Sequence, residues 1–360
     1  MMIDHDKSQP RHQYGKTGGA DRGYDRDLTV VGGGSFGTAL ASLAAGNDKK
    51  VIMWVRRPEQ AAEISEQHTN ERYLPGHDLP GDLQATSDME RAVRASRTVI
   101  VAIPSKSFRA VTSMLGEYLT GDQVVVHSTK GLELNTHRRM SEILTEETCA
   151  KKIGALSGPN LAKEIMGGDP AGCLVASRFA EVRHSLQVIY GGSRFRLYSG
   201  HDVVGTEIAG AFKNIVALAC GAAHGMGFGQ NTVSLLITRG LSEMTRFGLT
   251  MGANVFTFGG LAGVGDLVAT CTSPLSRNHK VGVRLGKGEP LAEILDSMTQ
   301  VAEGVPTVAA VQQFAKQRHL NLPIVNGVHA LVHEAMKPND VMRLLMSIPV
   351  GQELAVLPHG

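Results

Sequence analysis

From Leu28 onward, short apolar runs rich in β-branched residues recur between stretches of helical character: LTVV at 28–31, VIMWV at 51–55, TVIVAI at 98–103 and QVVVHS at 123–128. An uninterrupted apolar run bounded by polar residues suits a strand covered on both faces, and its alternation with helical stretches predicts parallel β-α-β units. KIGALSG at 152–158, AGCLVAS at 171–177 and FRLYS at 195–199 extend the same sheet. After about Val203 the alternation stops. Segments rich in Ala, Gly, Leu and Met at 206–224, 233–251 and 306–319 repeat apolar residues at helical spacing and predict a helical second half.

Composition agrees with two domains. A chain of 360 residues, 42% hydrophobic and 19% charged, can bury two cores. Its formal charge of +2 comes from 36 basic and 34 acidic residues, a near-balance that by itself implies no nucleic-acid or membrane surface, and no nucleic-acid partner is expected. The cysteines Cys149, Cys173, Cys220 and Cys271 are widely spaced and form no CxxC pair, so neither a zinc site nor a disulfide framework is indicated and a reducing cytoplasm fits best. Residues 1–26 are polar and lack an apolar core, so they are expected to be a disordered leader or tag and not a signal peptide. Charges such as Lys213, Arg239 and Asp266 interrupt the most apolar stretches, so no run is expected to reach the roughly 20 residues of a membrane helix, and no stable membrane association is expected.

The sharpest local signal follows the first strand. GGGSFG places Gly32, Gly34 and Gly37 at G-x-G-x-x-G spacing between LTVV and the Ala-rich TALASLAAG. In that context Gly32 allows the tight turn, Gly34 admits a pyrophosphate close to the backbone, Gly37 lets helix and strand pack, and the helix N-terminus faces the phosphates. Ser35 and Phe36 then lie against the ligand. The turn alone also suits FAD or an S-adenosyl ligand. An NAD-specific site would carry an acidic residue about 20 positions on. Here VIMWV ends in Arg56 and Arg57, two cations suited to a 2′-phosphate, so NADP is preferred and NAD stays open. The expected architecture is therefore α/β: an N-terminal Rossmann-type, mostly parallel sheet domain over 27–202, followed by an all-helical C-terminal domain over 203–348 and a tail over 349–360.

Several groups outside the turn are candidates for substrate chemistry. Strand 123–128 runs into Ser128-Thr129-Lys130-Gly131, which puts Lys130 at a strand carboxyl end, where open α/β sheets bind ligands. Gly158 and Asn160 sit at the sharp turn of LSGPNLAKE. Lys213 has only Ala209, Gly210, Val216 and Ala217 three and four positions away, so its helix supplies no carboxylate. Either it reaches the rim, or it is buried with a lowered pKa suited to proton transfer. Asn214 beside it could position a substrate. Asp266, in the otherwise apolar GLAGVGDLVAT, is the candidate partner from elsewhere. In TSPLSRNHKVG, Ser273 and Pro274 read as a helix cap and first turn, with Ser276, Arg277 and Asn278 just inside. An arginine beside free backbone N–H groups makes a phosphate site. His127, His224 and His279 show no metal-ligand spacing.

Taken together, GGGSFGTALA, HSTKGLE, LSGPNLAKE, AFKNIVALACGAAHG, GVGDLVATC, SRNHKVG and VAEGV closely resemble the bacterial-type NAD(P)-dependent glycerol-3-phosphate dehydrogenases, in family order from about Leu28 to about Met346. The resemblance implies interconversion of dihydroxyacetone phosphate and sn-glycerol 3-phosphate by hydride transfer at C2, supplying glycerol phosphate for phospholipids. It makes Lys213 the general acid/base, with Lys130 and Asp266 beside the reacting carbon. Ser276, Arg277 and Asn278 would surround the substrate phosphate, and Gly158 and Asn160 would touch substrate. For the cofactor it implies Ser35, Phe36, Arg56, Arg57, Lys130, Ala162, Arg277, Val301 and Glu303, the last two found by resemblance alone. A homodimer is also implied. Gly33 departs from the usual Ala, Phe36 from a frequent Trp or Tyr, and the leader has no counterpart. Two other readings stay open on the residues alone: a dehydrogenase of hydroxy acids or sugar acids, and a catalytically silent dinucleotide sensor.

Overall fold

The apolar runs become strands because each is covered on both faces by helices. The computed structural model describes residues 23–192, 194–298 and 300–347. Its eight strands are β1 (Leu28–Val31), β2 (Val51–Trp54), β3 (Gln84–Thr86), β4 (Thr98–Val101), β5 (Val124–His127), β6 (Lys152–Ser157), β7 (Ala171–Ala176) and β8 (Phe195–Gly200). They form one sheet in the order β3-β2-β1-β4-β5-β6-β7-β8. All neighbours are parallel except β6 and β7. The chain winds outward from β1 to β3 and then resumes at β4 on β1's other side, so the crevice between the carboxyl ends of β1 and β4 is the switch point at which such sheets bind ligands. β3 was not legible in the sequence: QAT is three residues long with one apolar residue, and it forms because β2 offers it an edge. One apolar layer, including Leu28, Val30, Met53 and Tyr190, packs on one face of the sheet, and a second, including Val31, Val99, Phe108 and Val125, on the other.

The helical part is organised around Val203–Gly225, which starts directly after β8. Its Ala- and Gly-rich sequence leaves almost the whole helix buried, with Gln230–Thr250, Asp266–Thr272, Arg277–Gly286, Gly304–Gln317 and Pro323–His333 packed around it. Arg277–Gly286 comes backbone to backbone: a Cβ on Gly221 would stand 2.2 Å from the His279 carbonyl oxygen, and one on Gly282 2.2 Å from that of Leu218. Only glycine permits this approach, which brings Arg277 and Asn278 over the side of the central helix that carries Asn214.

Two expectations are corrected here. Val203–Gly225 and the stretch Val255–Thr272 do reach the length and apolar character of a membrane span, Lys213 and Asp266 notwithstanding. In the first, 89% of the most apolar window is buried inside the protein, so its apolarity serves the core. The second is broken into short helical pieces by the non-helical backbone of Gly263. Of the expected leader, residues 1–22 lie outside the described residues, whereas Arg26 is tied down by its N–H donating to the Ala95 carbonyl at 3.0 Å. The expected tail over 349–360 lies outside the described residues.

Candidate active site

The glycine turn leaves β1 with Gly32 at φ 125°, a conformation that penalises any Cβ, and an added Cβ would also stand 2.3 Å from the Ala102 carbonyl oxygen. A Cβ on Gly37 would meet the Gly32 carbonyl oxygen at 2.2 Å, which fixes the helix Ser35–Ala45 against the turn. A Cβ on Gly34, by contrast, would meet nothing within 4 Å. The turn is thus packed from behind and open in front, at the N-terminus of a helix whose first N–H groups no side chain caps. That is the shape a pyrophosphate needs. Gly33 explains its own departure from alanine: a Cβ would come within 2.5 Å of Val55 Cγ1 and 2.6 Å of Gln60 Nε2, the amide that donates to the Gly33 carbonyl at 2.7 Å.

Arg56 and Arg57 follow β2 on the same edge of the sheet, and neither forms an ion pair with a carboxylate among the described residues; Arg57 only leans toward Gln60 Oε1 at 3.5 Å. Ser35 Oγ donates to the Tyr73 carbonyl at 2.8 Å and to Gln300 Oε1 at 3.2 Å, linking the turn to the helical half. Phe36 packs on the sheet's apolar layer, as does Ala162 at the start of the helix Ala162–Met166. Glu303 reaches the end of β4, where the Ser105 N–H donates to it at 3.1 Å and the Ser105 hydroxyl also bonds to it. Partial burial lifts its carboxyl above the ordinary value, against the pull of those donors. Val301 accepts from Arg277 Nη1 at 2.9 Å through its carbonyl.

The densest chemistry lies one strand further along. Lys213 is 6% exposed and Asp266 1% exposed. The Lys213 ammonium bonds to Asp266 Oδ1 and donates to Thr270 Oγ1 at 2.8 Å, while Lys130 Nζ donates to Asp266 Oδ2 at 2.6 Å. Gly210 makes the meeting feasible: a Cβ there would stand 3.1 Å from Ser157 Oγ and 3.4 Å from Lys130 Cγ, so the lysine stem runs along the helix where a side chain is missing. Leu132, two residues beyond Lys130, is buried in the core of the helical part and anchors the loop at its other end.

One carboxylate cannot neutralise two ammonium groups, and the three sites settle accordingly. Burial lowers Lys213 to about 7, with the neighbouring Lys130 pushing the same way against Asp266. Burial also works to lower Lys130, but Asp266 outweighs it and holds that ammonium above the ordinary lysine value. Burial would raise Asp266; the two lysines overcome it and keep the carboxyl below its usual range. The outcome is a lysine poised to exchange a proton near neutrality beside a fixed positive charge.

Arg277–Gly286 supplies the remaining candidates. Its cap is Ser276 and not Ser273: Ser276 Oγ accepts from the His279 N–H at 3.3 Å, whereas Ser273 closes the preceding helix and its hydroxyl accepts from the Leu275 N–H at 3.1 Å. Asn278 is tied on both sides, donating to Asn214 Oδ1 at 2.8 Å and accepting from the Gly304 N–H at 2.9 Å. Arg277 extends outward as the exposed cation of this turn. Beside Gly158, both donors of Asn160 Nδ2 go to backbone carbonyls, Pro159 and Gly172 at 3.0 Å each, which leaves Oδ1 buried without a partner. Thr270, Ser105, Tyr73 and Gln300 join these groups but carried no sequence signal, since each acts through a contact far away along the chain.

A switch-point dinucleotide turn, together with a buried lysine-carboxylate-lysine cluster roofed by helices, defines the two-domain dinucleotide-dependent oxidoreductases. Residues 27–182 match the N-terminal model of NAD-dependent glycerol-3-phosphate dehydrogenase, and residues 202–343 match the C-terminal model. The chain belongs to the NAD-dependent glycerol-3-phosphate dehydrogenase family. It is 44% identical to the Acinetobacter baylyi glycerol-3-phosphate dehydrogenase [NAD(P)+] over 333 residues, 92% of this chain and 93% of the relative. A Leuconostoc mesenteroides enzyme of the same description is 43% identical, covering 91% of this chain and 99% of its own. The crystal structure of the Coxiella burnetii glycerol-3-phosphate dehydrogenase superposes with a TM-score of 0.87 at 32% identity, over 90% of this chain and all of that one.

Proposed function

We propose that this protein interconverts dihydroxyacetone phosphate and sn-glycerol 3-phosphate, using NADP in preference to NAD, and so supplies glycerol 3-phosphate for phospholipid synthesis. The observation that carries the reading is the buried cluster in which Lys213 and Lys130 share Asp266 at the carboxyl edge of the sheet. A nicotinamide held by the glycine turn would supply hydride to C2 of the ketone. Lys213 hands its proton to the C2 oxygen as negative charge develops there, and takes it back in the oxidative direction. Lys130 stays charged and stabilises the same oxygen electrostatically, while Asp266 holds both ammonium groups in place. Arg277 and the N–H groups at the start of Arg277–Gly286 receive the substrate phosphate, with Ser276 and Asn278 fixing that turn. Gly158 and Asn160, the latter's amide donors spent on backbone carbonyls, lie against the substrate. Ser35, Phe36, Ala162, Val301 and Glu303 line the cofactor path from pyrophosphate to nicotinamide, and Arg56 and Arg57 meet the 2′-phosphate.

Its four free cysteines support a reducing compartment, the cytoplasm, and the family supports a homodimer, to be measured by light scattering. The deciding experiment follows reduced-nicotinamide absorbance with dihydroxyacetone phosphate, with unphosphorylated dihydroxyacetone and with 2-oxo acids. Turnover restricted to the phosphorylated ketone is expected. Equal turnover of a 2-oxo acid, or no turnover at all, overturns the reading.

A further inference from the structure

Six residues before Lys213, the central helix carries a second buried acid that the cluster does not use. Glu207 is 5% exposed, and its carboxylate crosses to the sheet domain. Oε1 accepts from the Ser141 N–H at 2.7 Å and lies 3.0 Å from His127 Nε2. Oε2 accepts from Ser141 Oγ at 2.7 Å and from Arg139 Nη1 at 2.5 Å. Arg139 in turn meets Glu142 Oε1 at 3.0 Å and Ser141 Oγ at 2.9 Å. Burial would raise Glu207, but His127, Arg139 and Ser141 keep it below the ordinary carboxylate range, so the group works as a fixed anion.

The geometry explains why a buried charge is kept here. His127 is the last residue of β5, three positions before Lys130, and Ser141 lies in the first turn of the helix Met140–Glu147. Glu207, Gly210 and Asn214 are spaced three and four apart, so they share one face of the central helix. Gly210 touches the Lys130 stem, and Asn214 holds Asn278. An apolar contact at position 207 would allow the helix to slide or rotate, whereas a carboxylate clamped by two backbone-anchored groups fixes both its height and its rotation.

We propose that Glu207 is a positioning residue: clamped by Arg139 and Ser141 beside His127, it sets the register of the central helix against β5, so that Lys213 and Lys130 reach opposite oxygens of Asp266. This rests on the assignment of Lys213 as the proton donor. Losing the clamp removes no group that touches substrate but loosens the Lys213-Asp266-Lys130 geometry. The expected loss is therefore in kcat and in the pH at which Lys213 titrates.

The test compares Glu207→Gln and the milder Ser141→Ala with the unaltered enzyme. The measurements are kcat and KM for dihydroxyacetone phosphate, cofactor Kd, and the pH dependence of kcat, all below each variant's melting temperature. Glu207→Gln is expected to lower kcat by about 10- to 100-fold and to move the pH midpoint, with cofactor Kd within about twofold; misplacing a catalytic group by about an ångström costs this much. Ser141→Ala should shift both in the same direction by less, and it decides the matter if Glu207→Gln does not fold. A lower melting temperature with unchanged kcat and pH midpoint in the folded variants would mean a structural role only and overturn the proposal. Failure of the unaltered enzyme to reduce the phosphorylated ketone, or full activity in Lys213→Ala, would instead strike at the assignment of function.

Discussion

Lys213 and Asp266 meet inside the protein across 53 residues of sequence, the lysine on the long central helix and the carboxylate at the first position of a short one. Neither helix carries a compensating charge of its own nearby, so each is the reason the other can be buried. Removing Asp266 leaves two ammonium groups uncompensated, whereas removing Lys213 leaves Asp266 paired with Lys130.

Lys213→Ala should lose proton transfer while keeping the dinucleotide site intact, because the glycine turn and Arg56 and Arg57 lie on other elements. A fall in kcat of about 10²- to 10⁴-fold is expected, with cofactor affinity retained by fluorescence titration. Near-normal turnover would remove Lys213 from the reaction.

The pH dependence has a definite sign. With Lys213 lowered to about 7, ketone reduction, which starts from its ammonium, should lose kcat/KM as pH rises through about 7. Alcohol oxidation, which starts from the free amine, should gain over the same range. Lys130 stays protonated throughout, since Asp266 holds it above the ordinary lysine value. Parallel profiles in the two directions would contradict the assignment.

Charge recognition should separate by residue. Arg277→Ala is expected to raise KM for dihydroxyacetone phosphate by about 10- to 100-fold with a smaller change in kcat, the magnitude of a lost charge-assisted hydrogen bond. Replacing Arg56 and Arg57 by Ala should weaken NADP while sparing NAD, and steady-state kinetics with both cofactors distinguishes the two effects.

Stability carries its own pH signature at Glu243, 2% exposed beneath the helix Pro323–His333, whose Ile324 and Val325 N–H groups donate to its two oxygens at 2.8 and 3.2 Å. Burial outweighs those donors and lifts the carboxyl from 4.5 to about 7. A folded-state pKa above the unfolded one gives stability that is fully present below about pH 4.5 and lost as pH rises through about 7, on the order of 3 kcal/mol in all. Urea titrations between those limits should show the loss, and Glu243→Gln should flatten it.

The backbone contact between Val203–Gly225 and Arg277–Gly286 gives a structural counterpart. Gly282→Ala forces a methyl to 2.2 Å from the Leu218 carbonyl oxygen, and a loss of about 3 kcal/mol is expected. Because that contact positions Arg277, the KM for the phosphorylated ketone should rise in whatever fraction still folds.

The sequence by itself determined what local rules govern. Apolar runs such as LTVV and VVVH predict strands covered on both faces, GGGSFG between a strand and an Ala-rich segment predicts a tight turn opening a helix, and the apolar face around Lys213 leaves it either at the rim or buried against a carboxylate from elsewhere. It could not show β3, whose three residues pair only because β2 is there to pair with, or the cap at Ser276, where Ser273-Pro274 offered an equally good local signal. The tertiary structure alone decided which groups meet. Thr270 on Lys213, Ser105 on Glu303, Tyr73 and Gln300 around Ser35, and Arg139 and Ser141 on Glu207 are hydrogen bonds across tens to hundreds of residues. Such contacts depend on long-range packing, between the domains at positions like Gly210 and inside the helical domain at Gly221 and Gly282, where the absence of a side chain carries the information.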